Sequence, residues 1–315
     1  MSIAIIINPV SGAGGADAGR KARMRCALAR EVLGARGGEV SVSEWPGHAV
    51  ELAKDAVARG LQLVVAWGGD GTVNEVARVL AFTPTALGIV PAGSGNGLAR
   101  ALGVPHRPAD ALRSALDGTR RQIDAGHFAG RLFFNVAGLG FDAHVARRFS
   151  ELRARGFMSY LRVGLGELRC YVPRTYRIRV GEEAIDHRAL MVVVSNGPEF
   201  GNRARIAPAA RLDDGELDLV IVEPTTPMRD MLRARYLFDG SLARRPGIVT
   251  RRVQEVTVDP GDAPIDYHVD GEPGEVTGPV TIGIHPGALW VSCARQVGSR
   301  NSEVYEPKPL AGLEP

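Results

Sequence analysis

The chain opens with a regular alternation of short apolar runs and helix-patterned stretches, and this alternation admits few folds. The apolar runs are Ile3-Ala4-Ile5-Ile6-Ile7, Glu39-Val40-Ser41-Val42, Leu63-Val64-Val65-Ala66 and Leu87-Gly88-Ile89-Val90. Between them lie helical patterns around Ala22 to Leu33, near Ala49 to Ala58 and from Val73 to Phe82. Strands separated by helices predict an α/β domain with a parallel sheet, and ligands of such sheets sit beyond the C-terminal ends of the strands.

From about Ile123 the pattern changes to short strands punctuated by Gly, Pro and Asp: Leu132 to Val136, Tyr176 to Val180, Ala189 to Val194, Glu216 to Val222, Val253 to Val258 and Val280 to Ile284. That spacing predicts a second domain, an antiparallel β-sandwich. The expected boundaries are residues 1–124 for the α/β domain, 125–297 for the β-rich domain and 298–315 for a loose polar tail. With 315 residues, 45% of them hydrophobic, the chain can build both cores.

Composition excludes several functions. A net charge of +3 is too small to imply nucleic-acid binding. Three scattered cysteines, Cys26, Cys170 and Cys293, allow neither a disulfide framework nor a paired-Cys metal knuckle, and suit a reducing compartment. The apolar start Ile3 to Ile7 lacks a basic n-region and stops at Asn8-Pro9, well short of the roughly 20 residues that span a bilayer. A buried first strand and a cytoplasmic location are expected.

Three small-residue turns follow the apolar runs. Asn8-Pro9-Val10-Ser11-Gly12-Ala13-Gly14-Gly15 lets backbone N–H groups approach a phosphate, with Asn8 and Ser11 as further donors. Gly68-Gly69-Asp70-Gly71-Thr72 feeds a helix N-terminus, an anion site in which Asp70 implies a bridging cation or a proton-abstracting role. Thr72 and Glu75 also have the spacing of a capping box. Pro91-Ala92-Gly93-Ser94-Gly95-Asn96-Gly97 opens another helix, with Asn96 as the expected N-cap. No GxxxxGK[ST] occurs, so a P-loop fold is not expected.

The set Asn-Pro-x-Ser-Gly, Gly-Gly-Asp-Gly-Thr-Val-Asn-Glu-Val and Pro-Ala-Gly-Ser-Gly-Asn-Gly-Leu-Ala-Arg resembles the catalytic domain of the diacylglycerol and sphingosine kinase family. The likeness continues through Asn135 to Ala143, Asp213 to Asp218 and His268 to Pro273, reaching about Ala294. It implies a two-domain lipid kinase related in fold to NAD kinase and phosphofructokinase, with ATP in the cleft and a lipid hydroxyl as acceptor. The implied ATP contacts are Asn8, Ser11, Ser43, the loop Gly68, Gly69, Asp70, Gly71, Thr72 and Asn74, and Ser94. Glu272 stands where the family places a general base; sphingosine kinases assign the base to the residue matching Asp70, so both stay open, with Glu272 favoured. A structural Mg2+ is implied at the carboxylate of Asp214 and the carbonyls of Arg211 and Glu216, although Asp213-Asp214-Gly215 equally reads as a metal-free turn.

Two departures leave the lipid undefined: Gly97 replaces the aspartate usual in bacterial diacylglycerol kinases, and His144 stands near the acid of sphingosine kinases. An NAD kinase-like small-molecule kinase and a non-catalytic nucleotide sensor are the alternatives. Gly138-Leu139-Gly140-Phe141-Asp142-Ala143 matches a dinucleotide fingerprint but opens the β-rich half, the wrong context. The seven histidines show no zinc-ligand spacing and read as ordinary core or surface residues. In the insertion Ala143 to Leu168, Arg147, Arg148, Arg153, Arg155, Arg162 and the adjoining Arg169 are interleaved with Phe149, Phe157, Met158, Tyr160 and Leu161. They suggest a peripheral contact with anionic membrane, against the alternative of a solvated helix packed on the second domain. A homodimer is left open.

Overall fold

The computed structural model describes residues 2–12, 17–152 and 157–294. Ala13, Gly14 and Gly15 of the first turn, Arg153 and Arg155 of the insertion, and the tail from 298 lie outside them. The chain divides into two compact units, residues 1–123 with the segment that begins at Gly287, and residues 124–286.

In the first unit β1 (Ile3–Ile7) pairs in parallel with β2 (Glu39–Val42) and β3 (Leu63–Gly68), and β3 with β4 (Ala86–Pro91). The connections are α1 (Ala18–Leu33), α2 (His48–Ala58) and α3 (Asp70–Leu80), followed by α4 (Gly97–Ala101) and α5 (Pro108–Asp117). Every residue of β1, β3 and β4 is buried, as helices on both faces of a parallel sheet require. Val291, late in the long strand Val280–Cys293, pairs in parallel with Leu87 of β4. The β-rich domain expected over residues 125–297 is shorter in the structure, because the chain from Gly287 belongs to the first unit.

The second unit takes its first strand from the end of β5 (Thr119–Phe128), then holds β6 (Arg131–Phe133), β7 (Val136–Gly140), α6 (Phe141–Glu151) and α7 (Phe157–Glu167). Next come β8 (Arg174–Val180), β9 (Glu183–Ala189), β10 (Met191–Ser195), β11 (Leu217–Val222), α8 (Pro227–Arg233) and α9 (Arg235–Asp239). The remaining strands are β12 (Ile248–Val253), β13 (Glu255–Asp259), β14 (Ile265–Val269), β15 (Glu272–Val276) and the first half of β16 (Val280–Cys293). One antiparallel sheet runs β12-β11-β10-β7-β14-β15, and β16, β13, β8 and β9 form the facing strands. Ala137, Leu139, Val192, Val194, Leu219 and Ile221 of the first sheet pack on Ile178, Val256, Val258 and Ile282 of the second, the interior of a β-sandwich.

The strand read over Leu132 to Val136 is two strands, broken because the Asp270 carboxylate takes the amides of Phe134 (2.9 Å), Asn135 (3.0 Å) and Val136 (2.9 Å). The insertion is two helices, α6 and α7.

Candidate functional site

In the first unit the three turns after β1, β3 and β4 are bonded to one another. The Asn8 side-chain amide donates to Thr72 Oγ1 at 2.8 Å. Asp70, the first residue of α3, accepts the Asn96 amide on Oδ2 (2.8 Å) and the Gly97 amide on Oδ1 (2.7 Å). The Ala92 amide donates to the Gly68 carbonyl at 2.7 Å. A Cβ on Gly95 would meet Asp70 Oδ2 at 2.6 Å, and one on Gly93 would meet Gly69 Cα at 2.8 Å. These glycines are therefore required by the closeness of two backbones. Gly71 and Ser94 are exposed, and nothing lies within 4 Å of where a Gly71 Cβ would stand.

The helix α3 begins at Asp70 with Gly69 as N-cap and no side-chain cap, so the capping box expected of Thr72 and Glu75 is not formed. Thr72 instead accepts from Asn8 and fills the space left by Gly68, where a Cβ would meet Thr72 Cβ at 2.5 Å. Asn96 does occupy the N-cap position of α4, in left-handed conformation, but its side chain bonds Gly93 through both its oxygen (2.9 Å) and its nitrogen (2.8 Å). The third turn is thus held from inside by Asn96 and from outside by Asp70.

Arg25 of α1 escaped the sequence reading. Its guanidinium donates to the Asn8 carbonyl (2.5 Å), the Ser11 hydroxyl (2.8 Å) and the Ser11 carbonyl (3.0 Å), and lies 5.8 Å from the Trp67 ring centre. Burial pulls its pKa down from the usual guanidinium value. Ser43 is buried after β2, its amide donating to the Ile7 carbonyl at 2.9 Å. Asn74 is buried within α3. Of the proposed nucleotide contacts, Gly71 and Ser94 are the exposed ones.

In the second unit Asp270 and Gly271, both at positive φ, form the two-residue turn between β14 and β15, and Glu272 follows it. The Arg131 guanidinium donates to Glu272 Oε2, and Arg131 also reaches the Glu272 carbonyl at 3.4 Å. His268 is buried with its Nε2 2.9 Å from Asp142 Oδ2. Its Nδ1 accepts the Gly271 amide at 3.3 Å, which makes Nε2 the nitrogen that donates to Asp142. Gly138 lies opposite His268, and a Cβ there would meet Asp142 Oδ2 at 2.1 Å. Gly138 of the fingerprint-like stretch therefore makes room for a His–Asp pair on the outer face of this sheet, beneath α6. His268, read as an ordinary core residue, ties α6 to the turn before Glu272. His144 contacts acids on other elements, Glu167 at 2.7 Å and Asp266 at 3.8 Å.

Asp214 accepts the Glu216 amide on Oδ1 at 3.2 Å, while its Oδ2 is buried without a hydrogen-bond partner. Burial pushes its pKa up, and burial pushes that of Asp218 up to about 6, opposed by the Arg252 charge and aided by those of Asp214 and Glu216. Asp124 accepts the Gly215 amide at 2.8 Å. The Arg252 guanidinium lies 4.0 Å from Asp214 Oδ2 and 3.3 Å from Glu216 Oε2, so a hard cation held by Asp214 with the Arg211 and Glu216 carbonyls would share these acids with Arg252. Among the described residues no group of three or more His, Cys, Asp or Glu is arranged to hold a metal by side chains alone.

Residues 2–128 match the family described as the diacylglycerol kinase catalytic domain, and residues 135–293 the YegS C-terminal NAD kinase beta sandwich-like domain. A "Probable lipid kinase YegS-like" of Pseudomonas aeruginosa PAO1 is 34% identical over 281 residues, covering 88% of this chain and 91% of that protein. A relative with the same description from Chromohalobacter salexigens is 36% identical over 191 residues, 59% of this chain and 61% of its own length. A Bacillus anthracis structure described as a diacylglycerol kinase aligns with a TM-score of 0.69 at 19% identity, covering 93% of this chain and 96% of that one. The chain belongs to the family of YegS-like lipid kinases built on the diacylglycerol kinase catalytic domain.

Proposed function

We propose that the chain transfers the γ-phosphoryl group of ATP to the hydroxyl of a diacylglycerol-like or sphingoid-like lipid. The observation that carries this reading is the mutual bonding of three glycine-rich turns at the C-terminal ends of adjacent parallel strands, a preformed anion cradle without a P-loop lysine. When bound, ATP supplies the transferable group and Mg2+ neutralises phosphate charge. Asn8, Ser11, Ser43, the loop Gly68 to Asn74 and Ser94 hold the nucleotide, and Arg25 fixes the first turn.

Both Asp70 oxygens are committed to backbone amides, which suits an organiser of the nucleotide loops. Glu272 takes the proton of the lipid hydroxyl, with Arg131 setting its carboxylate. Asp214, with the Arg211 and Glu216 carbonyls, would hold a structural Mg2+ beside Arg252. Among the described residues no helix is long and apolar enough to cross a membrane. A cytoplasmic protein that works peripherally on the bilayer, in phospholipid biosynthesis, accords with a substrate drawn from the membrane.

The test is incubation of purified protein with Mg2+, γ-labelled ATP and a mixed lipid extract. Label entering the lipid phase is expected. ATP binding with no labelled lipid would instead identify a nucleotide sensor.

A further inference from the structure

The helix α8 has its polarity reversed relative to a helix packed on a core. Met228, Met231 and Leu232 stand at i, i+3 and i+4 and share one face, and they are 60%, 37% and 51% exposed. Two charged residues of the same helix, Asp230 and Arg233, turn toward the protein, while Arg229 is exposed. Asp230 is buried, accepts the Thr225 amide at 3.1 Å and pairs with Arg233 at 3.3 Å; Arg233 also donates to the Glu223 carbonyl at 2.9 Å. In α9, Tyr236 and Leu237 pack on the cluster of Ile206, Leu242 and Ile248, while Phe238 is 42% exposed.

A solvated helix on a globular unit shows the opposite arrangement. Here the inward ion pair and the seating of Leu237 hold an apolar face outward. Around that face Arg229, Arg235 and Arg244 are exposed, and Arg235 and Arg245 lie over the Tyr236 ring at 4.7 and 3.8 Å. The acid among them, Asp239, accepts the Ser241 amide at 2.8 Å. An apolar centre with a basic rim matches the acyl boundary and the charge of an anionic leaflet. A second copy would set one arginine rim against another, with like charges facing.

Two arginines of the Arg-rich insertion are already paired with acids. Arg147 is held by Asp266 (2.5 Å) and Glu275 (2.9 Å), and Arg148 by Glu151 (3.3 Å) and Glu167 (3.5 Å).

We propose that the outer face of α8 and α9 docks the protein on an anionic lipid surface. The proposal rests on the lipid-kinase reading for its purpose, while the docking itself requires no turnover. The full chain is sedimented with phosphatidylcholine vesicles with and without phosphatidylglycerol, in the absence of ATP. One variant carries Met228→Gln, Leu232→Gln and Phe238→Gln; a second carries Arg229→Gln, Arg235→Gln and Arg244→Gln. All six positions are exposed, and an unchanged Tm verifies folding.

The parent protein is expected to bind the phosphatidylglycerol vesicles, more weakly as salt rises. Each variant should lose at least about tenfold in affinity, while Arg147→Gln with Arg148→Gln retains it. Vesicle binding that survives both triple variants overturns the proposal. So does a change from dimer to monomer by light scattering with vesicle binding intact, which makes the patch a self-interface. If the parent phosphorylates no lipid yet the variants lose vesicle binding, the docking surface stands and the kinase reading falls. If both hold, the variants keep full turnover on a lipid presented below its critical micelle concentration.

Discussion

Asp70 holds Gly97: the first residue of α3 accepts on Oδ1, at 2.7 Å, the amide of the first residue of α4, while its Oδ2 accepts the amide of Asn96. In Asp70→Asn one acceptor becomes an NH2 that faces an amide donor, at a cost of about 1–3 kcal/mol for the group left unsatisfied. ATP affinity, by calorimetry, and lipid turnover should both fall, turnover by about 10²-fold or more if the loops also position the nucleotide. Wild-type values in that variant would remove Asp70 from the machinery.

Gly95→Ala should reproduce that defect from the other side, because the new Cβ lies 2.6 Å from Asp70 Oδ2. The two changes break one contact, so the double variant should be little worse than either single one. Effects on kcat/KM that simply multiply would show that Gly95 acts through something other than Asp70.

Glu272→Gln separates chemistry from binding. The kcat should drop about 10²- to 10⁴-fold with the ATP dissociation constant unchanged. A wild-type kcat would leave Glu272 as a turn residue paired to Arg131 and return the base to Asp70.

Asp214 Oδ2, buried without a hydrogen bond and 4.0 Å from Arg252, is the carboxylate oxygen of the proposed cation site. Mg2+ at a hundredfold excess over its dissociation constant adds about 2.7 kcal/mol to stability, so Tm should rise with Mg2+ in the parent protein and not in Asp214→Asn. This is read by calorimetry without nucleotide. An equal rise in both proteins would show that Asp214 binds no metal.

Removing the buried imidazole in His268→Ala leaves the Asp142 carboxylate and the Gly271 amide without their partner. A loss of about 1–3 kcal/mol in urea unfolding is expected. Asn at the same position, able to accept from Gly271 and donate to Asp142, should recover part of the loss if the imidazole acts by bridging; equal losses in Ala and Asn would show that only its packing matters.

The α/β half was legible because strands buried on both faces read as unbroken apolar runs, and because the glycines that let two turns touch are visible as glycines. What escaped were partners far away in sequence. Thr72 and Glu75 have the local spacing of a capping box, yet the Thr72 hydroxyl is taken by Asn8, 64 residues earlier. His268 lay inside a recognised motif, but its partner Asp142 is 126 residues away, so nothing nearby distinguished it from a core histidine. The break in the strand after Phe133 is likewise made by Asp270, on a turn that forms only when β14 lies beside β7.

The return of the chain to the first unit at Gly287 governs its order of assembly on the ribosome. When β1 to β4 have emerged, β4 still lacks the neighbour that Val291 supplies, so a fully apolar strand waits with an open edge while the whole β-sandwich is translated. The domain that comes first in the sequence is therefore the last to be completed. A nascent chain stopped after residue 124 would present that open edge, and chaperone demand should fall once Val291 has emerged and paired.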